Sequence, residues 1–143
     1  KLLQNMLKSS PFEVAVVDNV GVDNKYARCD VDDKKLYIAR TDNPAYLIQD
    51  ISMELAKYHL SLENDGGNKD LINFKATCAS YMFCKKYNIE FPREQFAQQK
   101  NILEGDAKAI KAELKSINDT YLKVKDRVIA EIEKNRKGKE QER

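Results

Sequence analysis

The chain has 143 residues, enough for one domain with a real core, and 42% of them are apolar. Its 25 Lys and Arg nearly balance 23 Asp and Glu, and the resulting charge of +2 is interspersed along the sequence, which is not the basic footprint of a dedicated nucleic-acid binder. No apolar run approaches the ~20 residues that cross a bilayer, and the first eight residues lack the pattern of a signal peptide.

A cytoplasmic protein with no membrane association is therefore expected. Because the chain opens on Lys1 rather than Met, we expect it to be a segment of a longer protein.

Residues 1–9 read as a short helix with Leu2, Leu3, Met6 and Leu7 on one side, stopped by Ser9, Ser10 and Pro11. Glu13-Val14-Ala15-Val16-Val17 reads as a strand, followed by the turn-rich Asp18-Asn19-Val20-Gly21. Polar and apolar residues alternate in Lys25-Tyr26-Ala27-Arg28-Cys29-Asp30 and again in Lys35-Leu36-Tyr37-Ile38-Ala39-Arg40. With a turn at Val31-Asp32-Asp33-Lys34 between them, residues 25–40 read as a hairpin.

Helices follow. Thr41-Asp42-Asn43-Pro44 offers caps and then a proline at the first turn. From there Tyr46, Leu47, Ile51, Leu55, Tyr58 and Leu62 recur at helical spacing, up to a loop at Asn64-Asp65-Gly66-Gly67-Asn68. A second helix over roughly 70–87 carries Leu71, Phe74, Cys78, Tyr81 and Met82. It is apolar around much of its circumference and belongs in the middle of the core. A short helix is expected over 93–103. A long one over 106–134 bears the stripe Ile110, Leu114, Ile117, Tyr121, Val124 and Val128, on a rod of roughly 42 Å. Residues 135–143 are charged and read as a flexible, solvated tail. The expected class is α+β: a small antiparallel sheet of about three strands packed on a helical bundle, in a single domain over 1–134.

Cys29, Cys78 and Cys84 form no C-x-x-C pair and read as reduced core thiols. A cysteine nucleophile would need a histidine partner, and His59 is the sole histidine.

The sharpest local signal lies in Ile51-Ser52-Met53-Glu54-Leu55-Ala56-Lys57-Tyr58-His59-Leu60. In the zinc-protease helix H-E-x-x-H, two histidines one turn apart bind the metal and the glutamate is the general base. Here Glu54 stands at the base position, while Met53 and Lys57 hold the histidine positions. A thioether binds zinc poorly, and an ammonium must first lose its proton. His59 points about 200° away from Lys57 on a helix and cannot replace it.

The order helix, strand, hairpin, helix with E-L-x-x-Tyr, and second buried helix resembles the ImmA/IrrE-type zincin-like domains. The segment Phe74-Lys75-Ala76-Thr77-Cys78-Ala79-Ser80-Tyr81-Met82-Phe83-Cys84-Lys85-Lys86-Tyr87-Asn88-Ile89 is similar to the matching helix of LtrC-like and ArdC-like proteins of conjugative plasmids and transposons. Ala112-Glu113-Leu114-Lys115-Ser116-Ile117-Asn118-Asp119-Thr120 resembles the final helix of that group, and the resemblance covers about residues 12–134.

What the resemblance implies is a metallopeptidase-like scaffold whose third zinc ligand would come from the second helix, near Thr77. No Asp, Glu or His occurs from Leu71 through Ile89. All three former ligand positions, Met53, Lys57 and Thr77, are thus non-ligating, with Glu54 as a vestigial base, and a catalytic zinc site needs three protein ligands. No cofactor or metal is expected. Lys57 would stand where the zinc charge stood, neutralising Glu54.

Three functions compete. The first is a non-catalytic zincin-like module of a mobile-element protein, binding DNA or a protein of the transfer machinery. The second is direct DNA binding, through Lys85, Lys86 and Arg93 with Lys134, Arg136, Lys137 and Lys139, and with Tyr26, Tyr37, Tyr58 and Tyr87 stacking on bases. The third is a homodimer through the 110–128 stripe.

Overall fold

The computed structural model of the chain describes residues 1–64, 68–92 and 105–141. Its elements in order are α1 (Leu2–Ser9), β1 (Glu13–Val17), β2 (Ala27–Asp30), β3 (Lys35–Ala39), α2 (Pro44–Asn64), α3 (Lys69–Lys86) and α4 (Ala107–Gln141). The class is α+β, as the periodicities indicate. The helix expected over 93–103 lies outside the described residues.

The three strands form one sheet in the order β1-β3-β2. β2 and β3 make the expected antiparallel hairpin, with Arg28 opposite Tyr37 and Cys29 opposite Leu36. The side chain of Asp30 accepts from the Asp33 amide in the turn. β1, however, pairs parallel with β3, Val14 lying opposite Leu36 and Val16 opposite Ile38. The sheet is therefore mixed, not antiparallel throughout. The reason is topological: residues 18–26 carry the chain across to the far edge, so that β3 returns between its two predecessors. The central strand is the most buried, with Leu36 inaccessible and Ile38 nearly so.

α2 starts where its caps indicate, the Asn43 side chain accepting from the Ala45 amide just after Pro44 enters the first turn. α3 is capped by Asn68, which accepts from the amides of Asp70 and Leu71. It ends in a Schellman turn: the Ile89 amide reaches the Cys84 carbonyl at 2.8 Å, the Asn88 amide reaches that of Lys85, and Asn88 takes φ of 57°.

α2 and α3 pack closely because their contact is built from small residues. Ala56, Ala76 and Ala79 are buried there, and the Ser52 and Ser80 hydroxyls meet at 2.6 Å. One hydroxyl donates to the other, which in turn donates to the Gln49 carbonyl that lies within reach of both, so the buried polar atoms are satisfied within the helix pair.

α4 spans 35 residues and continues through Gln141. The segment 135–141, expected as a flexible tail, is instead helical. Its side chains are mostly good helix formers, and Asn135 donates to the Asn5 side chain at 2.6 Å, which ties this turn to α1. Within the apolar stripe, Ile117, Val124 and Val128 are buried in this chain's own core, while Leu114 is exposed. A buried lysine also joins α3 to α4: Lys75, only 3% exposed, pairs with Glu113 at 2.7 Å.

Candidate functional site

Asp50, Met53, Glu54 and Lys57 follow one another at i, i+3, i+4 and i+7, one face of α2. That face lies along the free edge of β2. In an antiparallel ladder alternate residues turn their amides towards the partner strand and away from it. The Tyr26 carbonyl accepts from Ala39 of β3, which places the Cys29 amide on the outer edge. Glu54 Oε1 accepts from that amide at 3.0 Å. One turn earlier, Asp50 Oδ2 accepts from the Tyr26 amide at 2.7 Å. Two α2 carboxylates thus take two amides, that of Cys29 on the outer edge of β2 and that of Tyr26 just before the strand begins, and dock helix to strand.

The remaining oxygens are also engaged. Glu54 Oε2 pairs with Lys57 Nζ at 3.2 Å, and Asp50 Oδ1 lies 3.9 Å from Lys25 Nζ. Lys25 Nζ also approaches Met53 Sδ at 3.9 Å. Three cations, Lys25, Arg28 and Lys57, and two anions, Asp50 and Glu54, line a cleft of only about 80 Å³ together with Met53. Burial pushes the Asp50 carboxyl above the usual carboxylate range, against the opposing pull of the Tyr26 amide and Lys25. Burial likewise drives the Cys29 thiol up to about 12, with the negative charge of Glu54 adding to the effect.

Thr77 does not join this cleft. It is buried, and its hydroxyl is closed onto the Asn73 carbonyl at 2.7 Å. α3 instead presents Ile72 and Asn73 to a second cleft of about 410 Å³ on the other side of Glu54 and Lys57, shared with Cys29, Tyr58 and Lys69. Asn73 is the polar residue that sequence reasoning missed there. Its one available signal was its position on α3, four residues before Thr77. His59 faces α4: burial, then the charges of Arg127 and Lys123, hold its imidazole below the ordinary value. Among the described residues, no three His, Cys, Asp or Glu side chains converge as a metal site would require.

The basic candidates are scattered. Lys85 lies over the Tyr81 ring and Lys86 over that of Tyr87, at the exposed end of α3. Lys134 pairs with Glu131, and Arg136 and Lys137 are exposed on α4. Arg93 and the Lys139 side chain lie outside the described residues. The four tyrosines are engaged within the protein. Tyr26 stacks on Tyr46, Tyr37 lies beneath Arg28, Tyr58 meets Phe12 edge-on, and Tyr87 tilts against Phe83. None of the described helices is long and apolar enough to cross a membrane.

No family model, curated protein or solved structure matches this chain.

A water-activating base needs a free lone pair aimed at a polarised water. Each Glu54 oxygen already has a partner, a backbone amide on Oε1 and an ammonium on Oε2, which takes two of the carboxylate's roughly four acceptor sites. What this arrangement does chemically is to hold α2 against β2.

Proposed function

We propose that this domain is a non-catalytic, metallopeptidase-like module that acts by binding. In keeping with its resemblance to LtrC-like and ArdC-like proteins, it would serve a protein of conjugative elements. The observation that carries this reading is the double engagement of Glu54, by the Cys29 amide and by Lys57. In a hydrolase of the resembled type that carboxylate would face a metal-bound water; here Lys57 takes the place of the metal charge.

A peptidase assay on casein and on unfolded protein substrates, with added zinc, tests the proposal. The expected result is no turnover above background, unchanged in Glu54→Gln. Turnover that disappears in Glu54→Gln would overturn it.

DNA binding by this domain is the second reading. The exposed Lys85 and Lys86 at the end of α3 favour it. Phosphate contacts would make such binding fall steeply with salt. The prediction is a loss of affinity between low and moderate salt that Lys85→Gln/Lys86→Gln reduces. A homodimer through 110–128 has less to offer a partner, since Ile117, Val124 and Val128 are already covered by this chain.

A further inference from the structure

α1 and the last turns of α4 are joined by the Asn5–Asn135 hydrogen bond, and both asparagines help to line a groove of about 840 Å³ between the two helices. Its floor is apolar: Leu2, Ile132 and Tyr87 line it, each packed on the core yet only partly buried. Its rim is cationic: Lys1 and Lys8 of the α1 side and Lys134 and Arg136 of α4 line it, all exposed, and among the described residues no Asp or Glu does. One carboxylate neighbour, Glu131, pairs with Lys134 from outside the lining at 3.3 Å. In a chain whose charges are otherwise mixed, a single-sign rim over an apolar floor is a selective surface.

We propose that this groove receives an acidic amphipathic helix of a partner protein. An apolar stripe would lie on Leu2, Ile132 and Tyr87, and flanking Glu or Asp would meet the cations. α1 is 8 residues long, so the floor accommodates about two turns of a partner helix at 1.5 Å per residue. The aliphatic floor favours a helix over a nucleic acid. Bases need aromatic faces to stack on, and the one aromatic ring in the lining, Tyr87, already packs against Phe83 and carries Lys86 over it.

The inference rests on the reading of the domain as a binding module and names its partner. Its failure would leave the zinc and peptidase results untouched.

The test uses three fluorescein-labelled probes read by anisotropy. The first is an acetylated helical peptide of about four turns with Leu at i, i+3, i+4 and i+7 and Glu on both flanks. The second is its counterpart with Lys for every Glu, and the third a single-stranded oligonucleotide. The acidic peptide is expected to bind at least about tenfold more tightly than the lysine peptide, more weakly as salt rises. Lys8→Glu/Arg136→Glu is expected to weaken it by about tenfold or more, with an unchanged urea midpoint showing that the variant folds. The neutral pair Lys8→Gln/Arg136→Gln should fall between. Equal affinity for the two peptides, binding indifferent to these variants, no peptide binding, or tighter binding of the oligonucleotide at the same groove would each overturn the proposal.

Discussion

Replacing Glu54 by alanine isolates the role assigned to it. The substitution removes the acceptor of the Cys29 amide at 3.0 Å and the 3.2 Å ion pair with Lys57. A hydrogen bond to a charged acceptor contributes about 1.5–3 kcal/mol. The ion pair adds only about 0.2–0.5 kcal/mol, since the Lys57 side chain is 35% exposed. Water can reach the half-buried edge at Cys29 once the side chain is gone and recovers part of the first contribution. The net cost is about 2 kcal/mol, or roughly 6–8 °C in Tm for a domain of this size.

Glu54→Gln keeps a carbonyl to accept from the amide and should cost about 1 kcal/mol. Lys57→Ala should cost a few tenths of a kcal/mol, and nothing further once Glu54 is already alanine. Urea unfolding followed by circular dichroism at constant m-value, with calorimetry for Tm, reads all four proteins. A carboxylate retained for chemistry behaves in the opposite way, its removal leaving stability unchanged or raised. A Glu54→Ala protein as stable as the parent would refute the structural role.

Three further outcomes follow from the same contacts. Glu113→Ala strands the Lys75 ammonium, 3% exposed, and should cost about 3 kcal/mol, whereas Lys75→Met should cost less, because the Glu113 side chain is 32% exposed and its carboxylate can turn to water; equal losses in urea unfolding would contradict this. His59, held below its ordinary 6.5 by burial and by Arg127 and Lys123, contributes stability that is present above the unfolded value and lost as pH falls through the folded one. His59→Gln should therefore flatten stability below neutral pH, and an imidazole resonance titrating at or above 6.5 would show the argument to be mistaken. The Cys29 thiol, at about 12, should resist iodoacetamide at pH 8 until the protein unfolds. Glu54→Gln should speed its labelling by removing the adjacent charge, and rapid labelling of the parent protein would count against the assigned burial.

The elements were legible in the sequence because each rests on local signals. Asn43-Pro44 starts α2, Asn68 caps α3, and the alternation through residues 25–40 marks the hairpin. The parallel pairing of β1 with β3 was not legible, because the order of strands in a sheet depends on which way residues 18–26 cross, and alternation carries no such information. The charged run after Lys134 resembled a tail by composition alone. Its helix is fixed by a contact 130 residues away in sequence, between Asn135 and Asn5.

At the candidate site, the Glu54–Lys57 pair followed from their i,i+3 spacing. The Cys29 amide on Glu54 did not, because a backbone donor on a distant strand leaves no mark on residue type. The same limit hid Lys75, whose partner lies on α4, and placed Asn73 rather than Thr77 at the cleft.

We propose that Met53, Glu54 and Lys57 stand where a hydrolase of the resembled type would hold zinc and bind no metal themselves. Elemental mass spectrometry of the protein, purified without chelator and without added metal, addresses it most directly. The expected result is zinc far below one equivalent per chain, with no change in Glu54→Gln. Near-stoichiometric zinc, lost on substitution of Glu54 or Lys57, would contradict it.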